Sequence, residues 1–213
     1  MSQVEPVDTT NLDIYGSAAL PWSRARDLLE AGQGQPTVEA GEESHRTFWL
    51  STAGPNGQPH SAGVGALWID DQVWFTSGER ARKTRHLAAN PACAVAVSLP
   101  GMDLVIEGRA TRVTDPDSLE KLATAYRAQG WPAEVDGEDL TAPYSAPSAG
   151  PAPWHLYVLD AEVAFGVASA EPHGATRWRF KTLGSDGSAS TAELRGSRTT
   201  TAVPAGRSRA YAS

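Results

Sequence analysis

The residues best suited to chemistry lie in one short basic segment, GERARKTRHLAANP, at positions 78–91. Four cations occur there within a few residues of one another: Arg80, Arg82, Lys83 and Arg85. The formal net charge of the 213-residue chain is −7, so this positive charge is a local feature and not part of a basic surface. Such a cluster predicts a binding site for an anion such as a phosphate. The alternative is a solvated helix whose long basic side chains cover apolar surface with their stems.

A helix should carry this basic segment. Thr76 and Glu79 have the T-x-x-E spacing of a capping box, which predicts that the helix begins at Ser77 or Gly78. It should end at Asn90, because a residue that precedes proline avoids helical backbone angles. The free N–H groups and the partial positive charge of a helix N-terminus would favour an anion at that end.

The spacing within the helix divides its side chains between two faces. Leu87 is its only large apolar residue and should face the sheet, which puts Lys83 along the edge of the buried face and Arg80 one turn nearer the N-terminus. The other polar side chains should point more toward solvent: Arg82, Arg85 and His86. The predicted phosphate pocket therefore combines two hydroxyls with two cations, namely Thr76 and Ser77 with Lys83 and either Arg80 or Arg82.

No catalytic side chain can be named from the sequence. No Ser-His-Asp set or pair of carboxylates can be argued, and the five histidines are too dispersed to form a metal-binding motif, so no metal is predicted. Cys93 lies in an apolar run and should be inert. This pattern is typical of an enzyme in which a bound cofactor performs the chemistry and the protein positions it.

Alternating and apolar runs predict a mainly β domain around the basic helix. Strands are predicted at 47–53, 59–69, 72–77, 92–99, 102–114, 154–167 and 176–180. Short turns join most of the earlier strands, which predicts an antiparallel sheet that closes on itself as a β-barrel. Gly63 and Gly65 within the second strand predict either a close approach to a ligand ring or, more simply, a bulge or barrel corner.

Two further helices flank the predicted sheet. One should follow Pro21 and end at Gly32, and the other should begin at Asp115 and end at Gly130. The second helix should bury one face: Leu119, Leu122, Ala123 and Tyr126. Residues 131–153 are rich in Pro and Gly and are predicted to be a lid, a binding segment or disordered.

Composition sets the predicted domain boundaries and the cellular compartment. Residues 1–20 predict a flexible N-terminus, residues 21–180 a folded domain, and residues 181–213 a disordered tail. No apolar run approaches the ~20 residues that cross a bilayer, and no export signal is visible. A single cysteine cannot form an internal disulfide. These features predict a cytoplasmic protein that binds neither membrane nor nucleic acid, since nucleic-acid binding usually needs a basic face.

Three stretches in order carry a resemblance to a known family: FWLSTAGPNGQPHS (48–61), VWFTSGERARKTRHLAANPACAVAV (73–97) and VIEGRATRV (105–113). They are similar to the pyridoxamine 5′-phosphate oxidase-like superfamily of FMN- and F420-binding split β-barrels. The closing TRWRF (176–180) is similar to a C-terminal signature of an actinobacterial branch described as F420-dependent. The resemblance covers about residues 44–180.

The resemblance implies an FMN-binding split β-barrel with a defined site. The cofactor phosphate would contact Thr76, Ser77 and Lys83, assisted by Arg80 or Arg82. The flavin-type ring would lie against the second strand, with backbone contacts near Pro59, Ser61 and Val64. Sites of this family lie at a dimer interface, so the chain should be a homodimer in which Arg177 and Trp178 of a second copy complete the pocket. Trp49, Trp68 and Trp74 are expected either in the core or at that interface.

The resemblance also implies an oxidoreductase that transfers hydride between F420, or FMN as the second choice, and a small organic substrate. Vitamin B6 oxidation is not expected, because the chain lacks the Arg-x-His stretch that such oxidases use on their substrate. The chain departs from the family at Ala81, where a basic residue is common, and at His86, where asparagine is common. Two alternatives remain. One is a non-catalytic cofactor or haem carrier, with His155 or His173 as the haem ligand, and the other is an interaction module without a cofactor.

Overall fold

β-Strands dominate the part of the chain that the structure, a computed structural model, describes: residues 4–32, 46–144 and 150–181. The strands are β1 (Asp8–Asn11), β2 (Phe48–Ala53), β3 (Pro59–Val64), β4 (Ala66–Ile69), β5 (Gln72–Gly78), β6 (Ala92–Leu99), β7 (Met102–Val113), β8 (Glu134–Asp136), β9 (Asp139–Thr141), β10 (Trp154–Ala168) and β11 (Gly174–Arg179). The helices are α1 (Trp22–Ala31), α2 (Arg82–Ala89) and α3 (Pro116–Ala128).

These strands form one antiparallel sheet. The sheet divides along β10, because the two halves of this strand have different partners on one side. Along one edge β10 pairs with β7 from Leu156 to Ala168. Along the other edge, Trp154–Leu159 pairs with β5, and Val163–Ala168 pairs with β11. The pairing of β10 with β7 shifts its register after Ala161. This shift lies between the part of β10 that pairs with β5 and the part that pairs with β11. The predicted mainly β, split-barrel fold is confirmed.

The second predicted strand, 59–69, is two strands because the chain changes its partner at Gly65. β3 pairs with β2, whereas β4 pairs with β5. The Gly65 carbonyl accepts a hydrogen bond from the Tyr126 hydroxyl of α3 at 2.9 Å. Gly65 therefore lies at a barrel corner, whereas Gly63 lies within β3 and pairs with Trp49. This corner carries the sheet from β2 round to β5.

Two separate apolar clusters stabilise the fold. The larger lies inside the curved sheet and includes Trp22 of α1, Phe75 and Leu104. The smaller lies under α3 and includes Leu67 and Leu156 from the sheet. The predicted buried face of α3 is confirmed: Leu119, Leu122, Ala123 and Tyr126 are all buried. The predicted N-cap is also present, since the Asp115 carboxylate accepts a hydrogen bond from the Ser118 backbone N–H at 2.9 Å.

The strand tryptophans separate into core and surface residues. Trp68 and Trp74 are buried in the two clusters, so both belong to the core and not to an interface. Trp49 on β2 is 52% exposed on the outer face of the sheet. Of the three, only Trp49 is therefore available to a second molecule.

Two segments predicted to be irregular contain strands. β1 lies within the predicted flexible N-terminus, residues 1–20, and pairs with β11. β8 and β9 form a hairpin within 131–153, and β9 pairs with β10. These strands are short and polar, so their order comes from the partner strand and not from their own hydrophobic period. Residues 145–149 and nearly all of the predicted tail, from residue 182 onward, lie outside the described residues.

Candidate functional site

α2, the basic helix, begins at Arg82 and not at Ser77 or Gly78 as predicted. β5 continues through Gly78, and a turn then leads to the N-cap residue Ala81, whose backbone is extended (φ −66°, ψ 149°). No side chain in the described chain caps this helix. The capping-box prediction is therefore wrong. The predicted end at Asn90 is confirmed.

Thr76 and Ser77 are neighbours on β5, so their side chains point to opposite faces of the sheet. Thr76 faces α3, where it hydrogen-bonds with the Tyr126 hydroxyl. Ser77 faces α2, and its hydroxyl lies 2.6 Å from Thr84 Oγ1. The predicted pocket is corrected accordingly, because only Ser77 lies on the same side of the sheet as α2.

Thr84 fixes α2 against the end of β5. Its hydroxyl donates to the Gly78 carbonyl at 2.7 Å, so the short contact with Ser77 has the serine as donor. The Tyr157 hydroxyl of β10 lies close to Thr84, and burial raises the pKa of this tyrosine. The sequence assigned no role to Thr84 or Tyr157, since a hydroxyl group gives no signal until its partner is known.

Lys83 is buried beneath the first turn of α2, with 4% of its surface exposed. Burial lowers the pKa of its ammonium group, because a site of low dielectric disfavours the charged form. Leu87 is also buried, as predicted. Lys83 therefore lies on the inner face of the helix and not at the edge of that face.

The neighbouring cations, Arg80 and Arg82, are exposed. Among the described residues neither forms an ion pair with a carboxylate. Arg85 is exposed as predicted and donates to the Arg80 carbonyl at 2.6 Å. A cavity of about 460 Å³ lies between the turn at Arg80 and the segment Gly150–Pro153. Arg80 and Arg82 therefore present positive charge that no carboxylate of the described chain pairs with.

The predicted ring-binding residues lie on β3. Pro59 and Ser61 are exposed, and the Ser61 hydroxyl is 2.7 Å from that of Ser51 on β2. Val64 is buried in the barrel core, so only its backbone could serve a ligand. β3 is the last strand of the hydrogen-bonded path and pairs only with β2 among the described strands. Its second edge therefore leaves backbone N–H and C=O groups available.

Two histidines connect β3 to α2. The rings of His60 and His86 meet edge to face, with centroids 5.7 Å apart. His86 Nδ1 lies 3.0 Å from the Thr52 hydroxyl of β2, so this ring turns toward the sheet and not toward solvent as predicted. The pair lies between the predicted ring contacts and the predicted phosphate contacts, and sequence reasoning missed it.

The β11 residues do not join this site. Trp178 is fully buried, its indole N–H donates to the Leu20 carbonyl at 3.1 Å, and its ring covers Gly166, where an added Cβ would lie 2.6 Å from the ring. The prediction that Trp178 reaches a second copy is corrected, because Trp178 is a core residue. Arg177 is half-buried and donates to the Thr10 hydroxyl at 3.0 Å.

Comparison with known families identifies the fold family. The sequence model of the family described as pyridoxamine 5′-phosphate oxidase matches residues 35–168, more than half of the chain. This chain belongs to that family. The matched range contains β2 to β10 together with α2, which are the elements that form the site.

The chain is also similar to solved structures whose names mention different cofactors. An F420 reductase is 23% identical, with 65% of this chain and 94% of that chain covered and a TM-score of 0.42. An FMN-binding protein related to pyridoxamine 5′-phosphate oxidase, from Nostoc punctiforme PCC 73102, is 20% identical, with 75% and 91% covered and a TM-score of 0.46. A heme binding protein from Mycobacterium smegmatis is 17% identical, with 62% and 52% covered and a TM-score of 0.45. No curated protein sequence matches the chain.

The described helices of this family member include none that combines the length and the apolar character needed to span a membrane.

Proposed function

We propose that this member of the pyridoxamine 5′-phosphate oxidase family binds a flavin-type cofactor, F420 first and FMN second, and transfers hydride between it and a small organic molecule. One observation carries the proposal. Lys83 is buried next to the exposed cations Arg80 and Arg82, and no carboxylate of the described chain forms an ion pair with either arginine.

A phosphate fits this arrangement. The exposed guanidinium groups of Arg80 and Arg82 would form charge-assisted hydrogen bonds with a phosphate, and the ammonium group of Lys83 would add its positive charge. Ser77 plays a different part from the one first expected, because its buried hydroxyl is already bonded to Thr84. We therefore assign the phosphate to Lys83, Arg82 and Arg80, and we assign to Ser77 the positioning of α2.

The free edge of β3 suits a heterocyclic ring. Backbone groups near Pro59, Ser61 and Val64 would hydrogen-bond with the ring, and the exposed side chains of Pro59 and Ser61 would border it. A bound flavin or deazaflavin supplies the hydride chemistry, so the chain itself needs only to bind and orient the reactants. Such a role for the chain agrees with the sequence, in which no Ser-His-Asp set or pair of catalytic carboxylates can be recognised.

The choice of F420 over FMN rests on charge. The tail of F420 is polyanionic, and the segment from Arg80 to Lys83 offers it three cations. The TRWRF segment adds no direct support, because Thr176 and Trp178 are fully buried and serve the core. FMN, with one phosphate, would need fewer of these cations.

We also propose that the site is shared between two copies of the chain. An apolar row crosses the outer face of the sheet, where Trp49 pairs with Ala96, Ala96 with Val105, and Val105 with Phe165. A groove of about 470 Å³ lies beside Trp49 in this row. A second copy of the chain is the proposed occupant of this face. The row runs from β3, which pairs with β2 beside Trp49, to Arg177, which pairs with Phe165, so a copy bound along the row would bring its Arg177 near β3.

Titration of the purified protein with F420 and with FMN tests the cofactor assignment. We expect saturable binding, tighter for F420, followed by absorbance or fluorescence. If neither compound binds, the proposal is wrong. A protein that is isolated with the absorbance of haem would support the haem-carrier alternative, and a bound cofactor without turnover of any substrate would support a non-catalytic carrier.

Light scattering tests the shared site. Trp49→Glu should give a folded monomer that has lost cofactor affinity, because a carboxylate in an apolar contact costs several kcal/mol. Ile14→Glu is the matched control, since Ile14 is 83% exposed and belongs to no strand of the sheet. Circular dichroism should be unchanged in both variants. A folded Trp49→Glu monomer that binds the cofactor at full affinity would contradict the shared site.

A further inference from the structure

His60 and His86 lie between the two halves of the proposed cofactor site. His60 is on β3, between Pro59 and Ser61, and His86 is on α2, one turn after Lys83. Their rings meet edge to face with centroids 5.7 Å apart. A ligand that extends from β3 to the start of α2 would therefore pass beside this pair.

The hydrogen bonds of Thr52 define the free nitrogen of His86. The Thr52 hydroxyl donates to the His60 carbonyl at 3.4 Å, so its oxygen accepts a hydrogen bond from His86 Nδ1–H at 3.0 Å. The neutral ring of His86 thus has its proton on Nδ1. Nε2 is the nitrogen that can take up a second proton, and it faces the backbone of Gly54, where an added Cβ would lie 3.3 Å away.

No carboxylate of the described chain acts on the charge of His60. The charged groups that act on it come from α2, namely Arg82, His86 and Lys83, and its neighbour on β2 is the neutral Thr52. Burial and then these cations lower the pKa of His60. Without an anion, a proton on either histidine would add to the repulsion among these side chains.

We propose that the anionic, phosphate-bearing end of the cofactor binds together with a proton, which the His60–His86 pair takes up. This inference rests on the proposed function. A phosphate beside these rings would turn the repulsion between cations into attraction, so a histidinium would join Arg82 and Lys83 as a ligand of the anion. The affinity for the cofactor should then rise as the pH falls.

Titration calorimetry at one pH in two buffers of different ionisation enthalpy measures the proton taken up on binding. The titrants are F420 and FMN, and the proteins are the wild type, His60→Gln, His86→Asn and the double variant. We expect net proton uptake by the wild type and less by each variant, because the protonation of the ligand itself is common to all four. Between pH 6 and pH 8 the wild type should lose severalfold more affinity than the double variant, because a pKa shift of one unit changes the affinity about tenfold only across the whole titration.

His173→Asn is the matched control, because this histidine is exposed, contacts Glu171 and should leave the proton uptake unchanged. Proton NMR of the histidine rings gives a second readout, in which the signals of His60 and His86 should titrate at higher pH once the cofactor is bound. Equal proton uptake by the wild type and the double variant would overturn the inference while leaving the proposed function intact. Failure of both titrants to bind the wild type at any pH would overturn the proposed function itself.

Discussion

The junction of α2 with β5 and the junction of α1 with β11 bury different kinds of side chain. At the start of α2 the buried side chains are polar, namely Ser77, Lys83 and Thr84, and the apolar Leu87 follows one turn later. At β11 they are aromatic, since Trp22 contacts Trp178 and Phe180 edge to face with centroids 5.4 and 4.9 Å apart. Both regions contain segments that resemble functional motifs of the family. The polar junction agrees with the proposed binding role of α2, whereas the aromatic packing of the other junction serves stability.

The largest effect that we expect concerns stability and comes from the aromatic junction. Trp178→Ala should lower the free energy of unfolding by about 3–5 kcal/mol, because it leaves a large cavity beside Trp22 and Gly166. Urea denaturation measures this loss. Cofactor affinity of the folded fraction should not change. A weakened affinity with unchanged stability would show that Trp178 is a binding residue after all.

The next effect concerns binding and comes from the polar junction. Lys83→Ala should weaken cofactor binding by about 1.5–3 kcal/mol, the range for a hydrogen bond to a charged group. Arg85→Ala is the matched control, since this exposed arginine is assigned no contact with the phosphate and already donates to the Arg80 carbonyl, and it should change the affinity little. Similar losses in both variants would mean that the basic segment acts only through diffuse charge.

Two matched threonine variants, one at each junction, test this difference between the polar and the aromatic junction. Thr84→Val leaves the Gly78 carbonyl without its 2.7 Å donor, and Thr176→Val leaves the Leu20 N–H without its 2.8 Å acceptor. Each should cost about 1–3 kcal/mol of stability, because a buried polar group loses its partner. Only Thr84→Val should also weaken cofactor binding, which denaturation and titration of both variants would show. Equal affinities would mean that Thr84 supports the helix but not the site.

The smallest effect is a pH dependence of stability. The pKa of Lys83 is lower in the folded protein than its ordinary value of 10.5. Between the folded and unfolded values the unfolded chain binds more protons, so the contribution of Lys83 to stability rises with pH up to about 10.5. Lys83→Met should reduce this rise, and urea midpoints of both proteins at pH 8 and pH 10 would measure it. If the urea midpoints of the two proteins depended on pH in the same way, the pKa of Lys83 would not be lowered in the folded protein.

Local patterns in the sequence were sufficient to predict many of the helices and strands. The buried face of α3 follows from its 3.6-residue period, and its start follows from the Asp115 N-cap. β6 and β7 alternate with the period of a strand, and a turn at Pro100–Gly101 joins them. β1, β8 and β9 escaped prediction, because each is a few polar residues long and is ordered only by the strand beside it.

The site was predictable in composition but not in geometry. The sequence alone singled out Lys83 and its neighbouring arginines, because their charge contrasts with the acidic chain, and it placed the end of α2 at Asn90 through the proline that follows. The tertiary structure decided that Thr76 faces α3, that Trp178 lies in the core, and that His60 and His86 meet. These outcomes depend on which face of a strand is covered by which helix. That choice is made by contacts between residues far apart in the chain, so no local pattern records it.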